Sequence, residues 1–517
     1  MQGLYDKCIE TENILRAKKI VDANNGSKTA GPDGITKFNC GDTNSVIKAV
    51  KLRLRRRKEV RSRYVQIPKG NGKYRTISII NYYDRIAQEC VSYVLTPLIE
   101  PIMSKHSFGF RKGIGTKIPV SKACSTIHQN RKIFTVEIDF EKCFDNIPLE
   151  SAIGRLIEDF GIKDYLLIKT IKHLMYTGKE YKGIGLSQGT ILGPLLCNVY
   201  LHRLDKFMED TFDLEKIDKH FQRDYEKHKD KWIAWQRERN RKIMVRYYRY
   251  ADDSLIICKT EEDRDYCYEL VKSFIESNLE IQINQTKTKL GNNETIKFLG
   301  FAITKTQRIS IVVADPKGIG NEVSSRVLKT HKDLVRFRKY ILGILNYYDI
   351  CNNLSYIIDK IVNRLNYQGY NKGRGILKKI RTEGNIIFEE KNPKDKRSKI
   401  NFDVWLWRKK SKISYKDILM NQAWTKVREW IKVDERFDKG VRDFVWILFT
   451  KQRGKDFVTG KPLDIEHMHV HHKIPISKNG TNSIENLILI SEEVHKSIHK
   501  RIDNGNLKLK RLIKALN

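Results

Sequence analysis

Arg246-Tyr247-Tyr248-Arg249-Tyr250-Ala251-Asp252-Asp253-Ser254-Leu255-Ile256-Ile257-Cys258 sets two adjacent aspartates between two strand-like runs. The arrangement predicts a tight hairpin with both carboxylates at its tip. An acidic pair alone marks no more than a solvated turn. A second stretch changes the reading. Ile133-Phe-Thr-Val-Glu-Ile138 has the apolar content of a buried strand, and Asp139 and Phe140 follow it directly. Three carboxylates on neighbouring strand ends can hold two divalent cations, which clamp the attacking and leaving oxygens of a phosphoryl transfer. Hard oxygen donors suit Mg²⁺.

The composition points to a polyanionic partner. Lys and Arg number 98 against 62 Asp and Glu in 517 residues, a net charge of +36. A surplus that large, interleaved with tyrosines, is an electrostatic footprint for nucleic acid. Lys51-Leu-Arg-Leu-Arg-Arg-Arg-Lys58 is its densest run. The nine cysteines stand at 8, 40, 90, 124, 143, 197, 258, 267 and 351, with no Cys-x-x-Cys pair. That pattern predicts reduced, partly buried thiols and not a disulfide framework. The first thirty residues lack the apolar stretch of a signal peptide. No apolar run approaches the roughly 20 residues that span a bilayer. The expected location is cytoplasmic, at the nucleoid, with no membrane partner.

Along the chain, residues 1–60 read as helical and basic, broken by the turn Ala30-Gly-Pro-Asp-Gly34. Tyr64-Val-Gln-Ile-Pro68 and Tyr74-Arg-Thr-Ile-Ser-Ile79 flank Asn71-Gly72, a strong hairpin signal. Helices and short strands alternate from 80 to about 315, with a charged, helical insert over 206–246. Residues 321–420 carry helical periodicity, interrupted by a charged loop at Glu389-Glu-Lys-Asn-Pro-Lys-Asp-Lys-Arg397. Trp424, Trp430 and Trp446 lead into a histidine-rich end.

Seven blocks in order resemble the reverse transcriptases encoded by bacterial group II introns. They are Ala30-Gly-Pro-Asp-Gly34, Ser107-Phe-Gly-Phe-Arg111, Leu186-Ser-Gln-Gly-Thr190 with Pro194-Leu-Leu, Tyr250-Ala-Asp-Asp253, Asn284-Gln-Thr-Lys287, Phe298-Leu-Gly-Phe301 and Leu342-Gly-Ile-Leu-Asn-Tyr-Tyr348. The last is similar to that family's thumb, or maturase region. The resemblance implies that Asp139, Asp252 and Asp253 hold two Mg²⁺, with the Phe140 carbonyl as a further ligand. Lys69 and Arg75 would meet the triphosphate of an incoming dNTP. Phe144 would press on its sugar and exclude a 2′-hydroxyl, and Gln188 would contact nucleotide or template. Lys287 would protonate the departing pyrophosphate or neutralise it. Ser187 stands where many relatives carry proline, and Gly193 where serine is common; both bear on template positioning.

A second constellation closes the chain: Val470-His-His-Lys-Ile-Pro475, Gly480, Glu485-Asn-Leu487, His495 and His499. Six of the thirteen histidines fall at 467, 469, 471, 472, 495 and 499. His495 and His499, four apart, share a helix face and can grip one metal. The pattern resembles the HNH nuclease motif, a ββα-metal fold. That resemblance makes His471, His495 and His499 ligands of one divalent metal, Mg²⁺ or a transition ion. His472 would deprotonate the attacking water, and Asn486 would fix the loop that orients it. Many relatives hold a structural zinc with cysteine pairs beside this site. Here Val458-Thr-Gly-Lys-Pro462 occupies that stretch, so no structural zinc is expected, and packing, the catalytic metal or DNA docking must hold the unit together.

The expectation is an α+β multidomain chain. It comprises an RNA-binding extension over 1–62, the antiparallel-sheet fingers and palm of a right-hand polymerase over 63–320 and a helical thumb or maturase domain over 321–420. A DNA-binding linker over 421–450 and a ββα-metal HNH domain over 451–517 follow. The resemblance implies an intron RNA partner, splicing support, nicking of target DNA and target-primed reverse transcription. The rival readings are a splicing cofactor with relic sites, a reverse transcriptase of another retroelement or defence system, and a DNA-cutting homing enzyme. The intact Asp139, Asp252, Asp253, His471 and His472 argue against the first. The thumb block and the HNH end argue against the second. The third leaves the palm and fingers unexplained.

Overall fold

The structure, a computed structural model, describes residues 3–58, 60–70, 73–129, 133–176, 185–212, 245–292, 295–305, 309–370, 376–382, 385–393, 400–403, 418–419, 444–445, 447–449, 452, 455–461, 463, 467–478 and 480–503. The chain divides into two compact units, Met1–Tyr415 and Lys416–Asn517. The Asn71-Gly72 turn, residues 213–244 of the insert, Trp424, Trp430, Trp446 and nearly all of 421–450 lie outside the described residues. Of Lys69 and His499 only the backbone is described. Among the described residues no helix is long and apolar enough to cross a membrane.

The first unit opens with α1 (Leu4–Ile9), α2 (Thr11–Ala23) and α3 (Thr43–Leu54). Asp42 caps α3 by accepting from the Ser45 amide at 2.8 Å. The expected hairpin follows as antiparallel β1 (Ser62–Gly70) and β2 (Lys73–Ile80). Next come α4 (Tyr82–Ile99) and α5 (Lys117–Gln129), then the buried strand β3 (Phe134–Ile138), α6 (Cys143–Asn146), α7 (Leu149–Glu158) and α8 (Tyr165–Met175). Helix α9 (Gly193–Thr211) carries Pro194 in its first turn, where no amide partner is lost.

β4 (Val245–Tyr250) and β5 (Asp253–Cys258) pair antiparallel across Ala251-Asp252, so the aspartates do sit at a hairpin tip. β5 also pairs with β3, and β3 with β6 (Lys289–Asn292), which gives a four-stranded antiparallel sheet in the order β4-β5-β3-β6. Helix α10 (Glu261–Asn278) follows β5, capped by Thr260 and carrying three acids in its first turn. Phe207 of α9 stacks on Phe274 of α10, ring centroids 4.1 Å apart. Hydrophobic burial of this kind locks helices onto one face of the sheet. All nine cysteines are buried and unpaired, as their spacing predicts.

β7 (Thr295–Phe298), β8 (Phe301–Lys305) and β9 (Ile309–Val313) form a separate antiparallel sheet. Helices α11 (Pro316–Ser325), α12 (His331–Tyr347) and α13 (Leu354–Tyr370) follow. A capping box of Thr330 and Asp333 starts α12.

Helix does not continue to residue 420. β10 (Leu377–Thr382), β11 (Asn385–Glu390) and β12 (Asn401–Asp403) form a three-stranded antiparallel sheet. Part of the expected charged loop is thus a strand end, with Glu389 and Glu390 buried. Partners on neighbouring elements explain it: Glu390 meets His331 at the start of α12 at 2.7 Å, and Glu389 meets Lys378 across the strands at 3.7 Å. Charge reads as solvated in sequence; here it is paired.

The second unit pairs β13 (Met468–His472) with β14 (Leu487–Ser491), followed by α14 (Glu492–Asp503). This is the expected ββα order. Its core holds Val445, Leu448, Phe449, Leu463, Met468, Leu487 and Leu489. One buried carboxylate, Asp456, ties the stretch 456–459 to the end of β14. Asp456 Oδ1 accepts from the Val458 and Thr459 amides at 2.8 Å each, and Oδ2 accepts from the Ser491 amide at 2.6 Å. Those bonds outweigh burial and hold the Asp456 carboxyl below its ordinary value. Asp456→Ala therefore lowers the stability of this unit by about 2 kcal/mol or more. In wild type the Asp456 contribution is complete above the ordinary aspartate range and is lost as pH falls through its depressed value. Thermal unfolding of both proteins against pH checks this: the gap between them must narrow in acid.

Candidate active sites

The palm site is built where β3 and β5 run side by side. Ile138 pairs with Ser254, which brings Asp139, just past β3, next to Asp253 at the start of β5. Asp252 occupies the turn itself. Burial first, then the charges of Asp252 and Asp139, push the Asp253 carboxyl up to about 6. Burial also raises Asp252; Asp139 adds to this, while Arg75 and Lys287 oppose it. Three acids that repel one another at a partly buried spot favour a cation.

Other predicted residues gather round. The Asn284 amide donates to the Asp139 carbonyl at 2.8 Å, and the Glu141 amide donates to the Gln282 carbonyl at 2.8 Å. Neither bond uses the Phe140 carbonyl. Lys287 Nζ donates to both oxygens of Asp139, at 3.0 and 3.3 Å. Among the described residues no three donors already stand as a coordination shell. Asp139 is turned onto Lys287, so a cation has to draw it away. The donor set, three hard carboxylates at adjoining strand ends, fits Mg²⁺.

The nucleotide side is less converged. Arg75 is exposed on β2, opposite Ile67. The Ser78 amide of β2 donates to the Gln188 carbonyl at 2.7 Å, which ties the hairpin to the loop before α9. The Gln188 side chain lies 3.4 Å from Asp145 Oδ1. Phe144 is half-buried, edge-on to Phe110 with centroids 5.8 Å apart. Hydrogen bonding to Cys197 and burial push the neighbouring Cys143 thiol up, and the Asp252 charge adds to it. Phe144 thus follows a residue within electrostatic reach of the aspartates. Loop 106–111 closes the other side: a Cβ on Gly109 would stand 2.3 Å from the Ala251 nitrogen, so glycine is required for the approach.

In the second unit, period-two alternation puts His469 and His471 on one face of β13. His495 meets both: its ring stacks on His469 at 4.8 Å between centroids and lies edge-on to His471 at 5.5 Å. His472 points elsewhere, with Nε2 donating to Asn482 Oδ1 at 2.7 Å. With Nε2 on an oxygen acceptor, Nδ1 is the ring nitrogen left to accept a proton. Asn486 holds the intervening loop: its side chain accepts from the Ile474 amide at 2.8 Å and donates to the Ile474 and Thr481 carbonyls at 2.9 Å. A Cβ on Gly480 would meet the Ile474 carbonyl oxygen at 1.9 Å.

Comparison with known proteins follows the same division. Residues 67–303 match the family described as reverse transcriptase (RNA-dependent DNA polymerase), and residues 458–501 match HNH endonuclease. The chain is similar to a putative COX1/OXI3 intron 2 protein of Saccharomyces cerevisiae, 26% identical over 421 residues, covering 73% of this chain and 45% of that one. It is also similar to the group II intron-encoded protein LtrA of Lactococcus lactis subsp. cremoris, 27% identical over 349 residues, covering 58% and 56%. Residues 67–303 thus carry a reverse transcriptase domain and residues 458–501 an HNH endonuclease domain, in a chain similar to group II intron-encoded proteins. The chain spans about half the length of these two relatives. Protein YkfC of Escherichia coli K12 is 28% identical over 334 residues, with 59% of this chain and 84% of that one covered. A solved telomerase from Candida albicans is 14% identical with a TM-score of 0.35, covering 62% of each chain.

Several residues of the reverse transcriptase and HNH domains escape a motif reading. Asn482 lies in a polar loop with no periodicity to mark it. His469 had a signal, since it shares the parity of His471. Arg249 had one too: it follows Val245 and Tyr247 at core-facing positions of β4. Lys287→Met removes the cation that holds Asp139. The Mg²⁺ concentration for half-maximal dNTP incorporation then falls by about two- to fivefold, the range of an exposed ion pair. At saturating Mg²⁺ the turnover drops by about a hundredfold or more if the same amine serves as general acid. Rates measured against Mg²⁺ for both proteins separate the two effects.

Proposed function

We propose that this chain is a group II intron-encoded protein that copies its intron RNA into DNA at a nicked target and supports splicing of that RNA. The observation that carries the reading is the meeting of Asp139, Asp252 and Asp253 at adjoining strand ends, with the carboxyls of Asp252 and Asp253 raised by burial and by neighbouring acids. Asp139, Asp252, Asp253 and the Phe140 carbonyl would hold two Mg²⁺. When bound, such ions stabilise the attacking and leaving oxygens of nucleotide transfer. Arg75 and Lys69 steer the triphosphate, Phe144 closes the sugar side, Gln188 sits against nucleotide or template, and Lys287 supplies a proton or positive charge to pyrophosphate.

The HNH domain nicks target DNA in the same reading. His472 takes the proton of the attacking water at Nδ1, with its ring set by the bond to Asn482. Asn486 holds the loop between them. His471, His495 and His499 would hold one divalent metal, whose contribution is to stabilise charge on the phosphate and the departing oxygen. Intron RNA binds through the basic N-terminal segment and the thumb, largely by phosphate contacts that weaken with salt. The proposed domains are 1–62 for RNA binding, 63–320 for fingers and palm, 321–420 for thumb, 421–450 for DNA contact and 451–517 for nicking.

Primed RNA template, dNTPs and Mg²⁺ test the palm. Wild type extends the primer; Asp252→Ala or Asp253→Ala abolishes extension and spares RNA binding. His472→Ala stops nicking of target DNA and leaves extension intact. Extension by the aspartate variants at wild-type rate removes the palm assignment, and unaltered nicking by His472→Ala removes the role of that histidine.

A further inference from the structure

Arg249 ends one residue short of the catalytic turn, and its side chain is fully buried. A guanidinium has five N–H donors, and here each meets an acceptor. Nε donates to Asp205 Oδ1 at 2.7 Å and Nη2 donates to Asp205 Oδ2 at 2.6 Å, a two-point pair. Nη2 also donates to Ser107 Oγ at 2.7 Å. Nη1 donates to Asn198 Oδ1 at 3.0 Å and to the Ala251 carbonyl at 2.9 Å.

The last bond reaches the turn itself. Ala251 has φ +59°, a left-handed conformation that a residue with a Cβ adopts at a cost. Its carbonyl belongs to the peptide that leads into Asp252. Holding that oxygen fixes the peptide plane, and with it the direction in which Asp252 leaves the backbone. Asn198 extends the brace, since its Nδ2 donates to the Gly109 carbonyl at 2.7 Å. Gly109 in turn presses on the Ala251 amide. Tyr247 donates to Asp205 Oδ1 at 3.0 Å from below. The three elements that meet at this point, α9, β4 and loop 106–111, are joined here by the polar contacts of one ion pair and its neighbours.

Charge sharpens the argument. A lone guanidinium under two carboxylates would compete with a divalent cation. Asp205 cancels that charge, so the pair can orient the turn without opposing metal. A well-packed apolar pair would serve stability as well as a buried ion pair does; it could not hold the Ala251 carbonyl.

We propose that Arg249 and Asp205 are positioning residues, which set the Ala251–Asp252 peptide so that Asp252 and Asp253 bind metal in register with Asp139. This rests on the reading of those carboxylates as a polymerase site. Outer-shell partners of metal ligands alter affinity or activity by about 10- to 100-fold.

The test uses the full-length double variant Arg249→Met/Asp205→Leu, which replaces the pair with apolar side chains. Its thermal unfolding and its DNA nicking stay close to wild type. In primer extension on RNA, half-saturating Mg²⁺ rises about tenfold or more, and turnover falls while the KM for dNTP changes little. Asn198→Ala, a milder cut in the same network, shifts the Mg²⁺ dependence about threefold the same way, and it decides the matter where the double variant does not fold. Either folded variant with wild-type turnover and Mg²⁺ dependence overturns the proposal and leaves the pair a structural one. Wild type that extends no primer overturns the polymerase reading beneath it, a failure seen before any variant is compared.

Discussion

The buried ion pair between Arg249 and Asp205 is the constraint on which the Ala251-Asp252 turn of the first unit depends. A charge out of water is costly unless it is paired and fully hydrogen-bonded. Arg249 meets that condition only when α9 supplies Asp205 and Asn198, loop 106–111 supplies Ser107, and the turn supplies the Ala251 carbonyl. Each of these must be in place for the others to be tolerated. The backbone adds its own bonds on the same side: Phe108 donates to the Arg249 carbonyl at 2.8 Å, and Arg249 donates to the His106 carbonyl at 2.9 Å. A hairpin tip, ordinarily a mobile feature, is thereby fixed from below.

The second unit solves a similar problem with different chemistry. A unit with so small a core is marginal on hydrophobic burial alone. Asp456 ties the turn at 456–461 to the end of β14 through backbone amides, and Gln452 ties it again by exchanging bonds with Leu489 at 2.8 and 2.9 Å. The side of β13 away from this clamp is left to its histidines. Stability and chemistry are thus assigned to different residues, and neither needs cysteine.

Much of this was legible in sequence because strand register is a local matter. Adjacent aspartates between two strand-like runs pointed to a turn, and Asp139 after an apolar run pointed to a strand end. What sequence could not supply was the partner across the chain. Glu389 and Glu390 read as a loop because their counterions, Lys378 and His331, sit on other elements. Arg249 read only as one residue of a strand-like run because Asp205 is 44 residues away. The same holds for Asn482, which orients His472 from a loop without pattern. The motifs carry the reacting groups; the groups that aim them are spread over the fold and carry no motif.

The account turns on whether three carboxylates at two strand ends gather metal when substrate arrives. A crystal structure of the chain on a primed RNA template, with Mn²⁺ and an unreactive dNTP analogue, addresses this directly through anomalous scattering. The account predicts two Mn²⁺ peaks about 3.5–4 Å apart, bridged by Asp139, Asp252 and Asp253, with Asp139 drawn off Lys287. A bound nucleotide with no metal between these carboxylates, or with Lys287 still paired to Asp139, would contradict it.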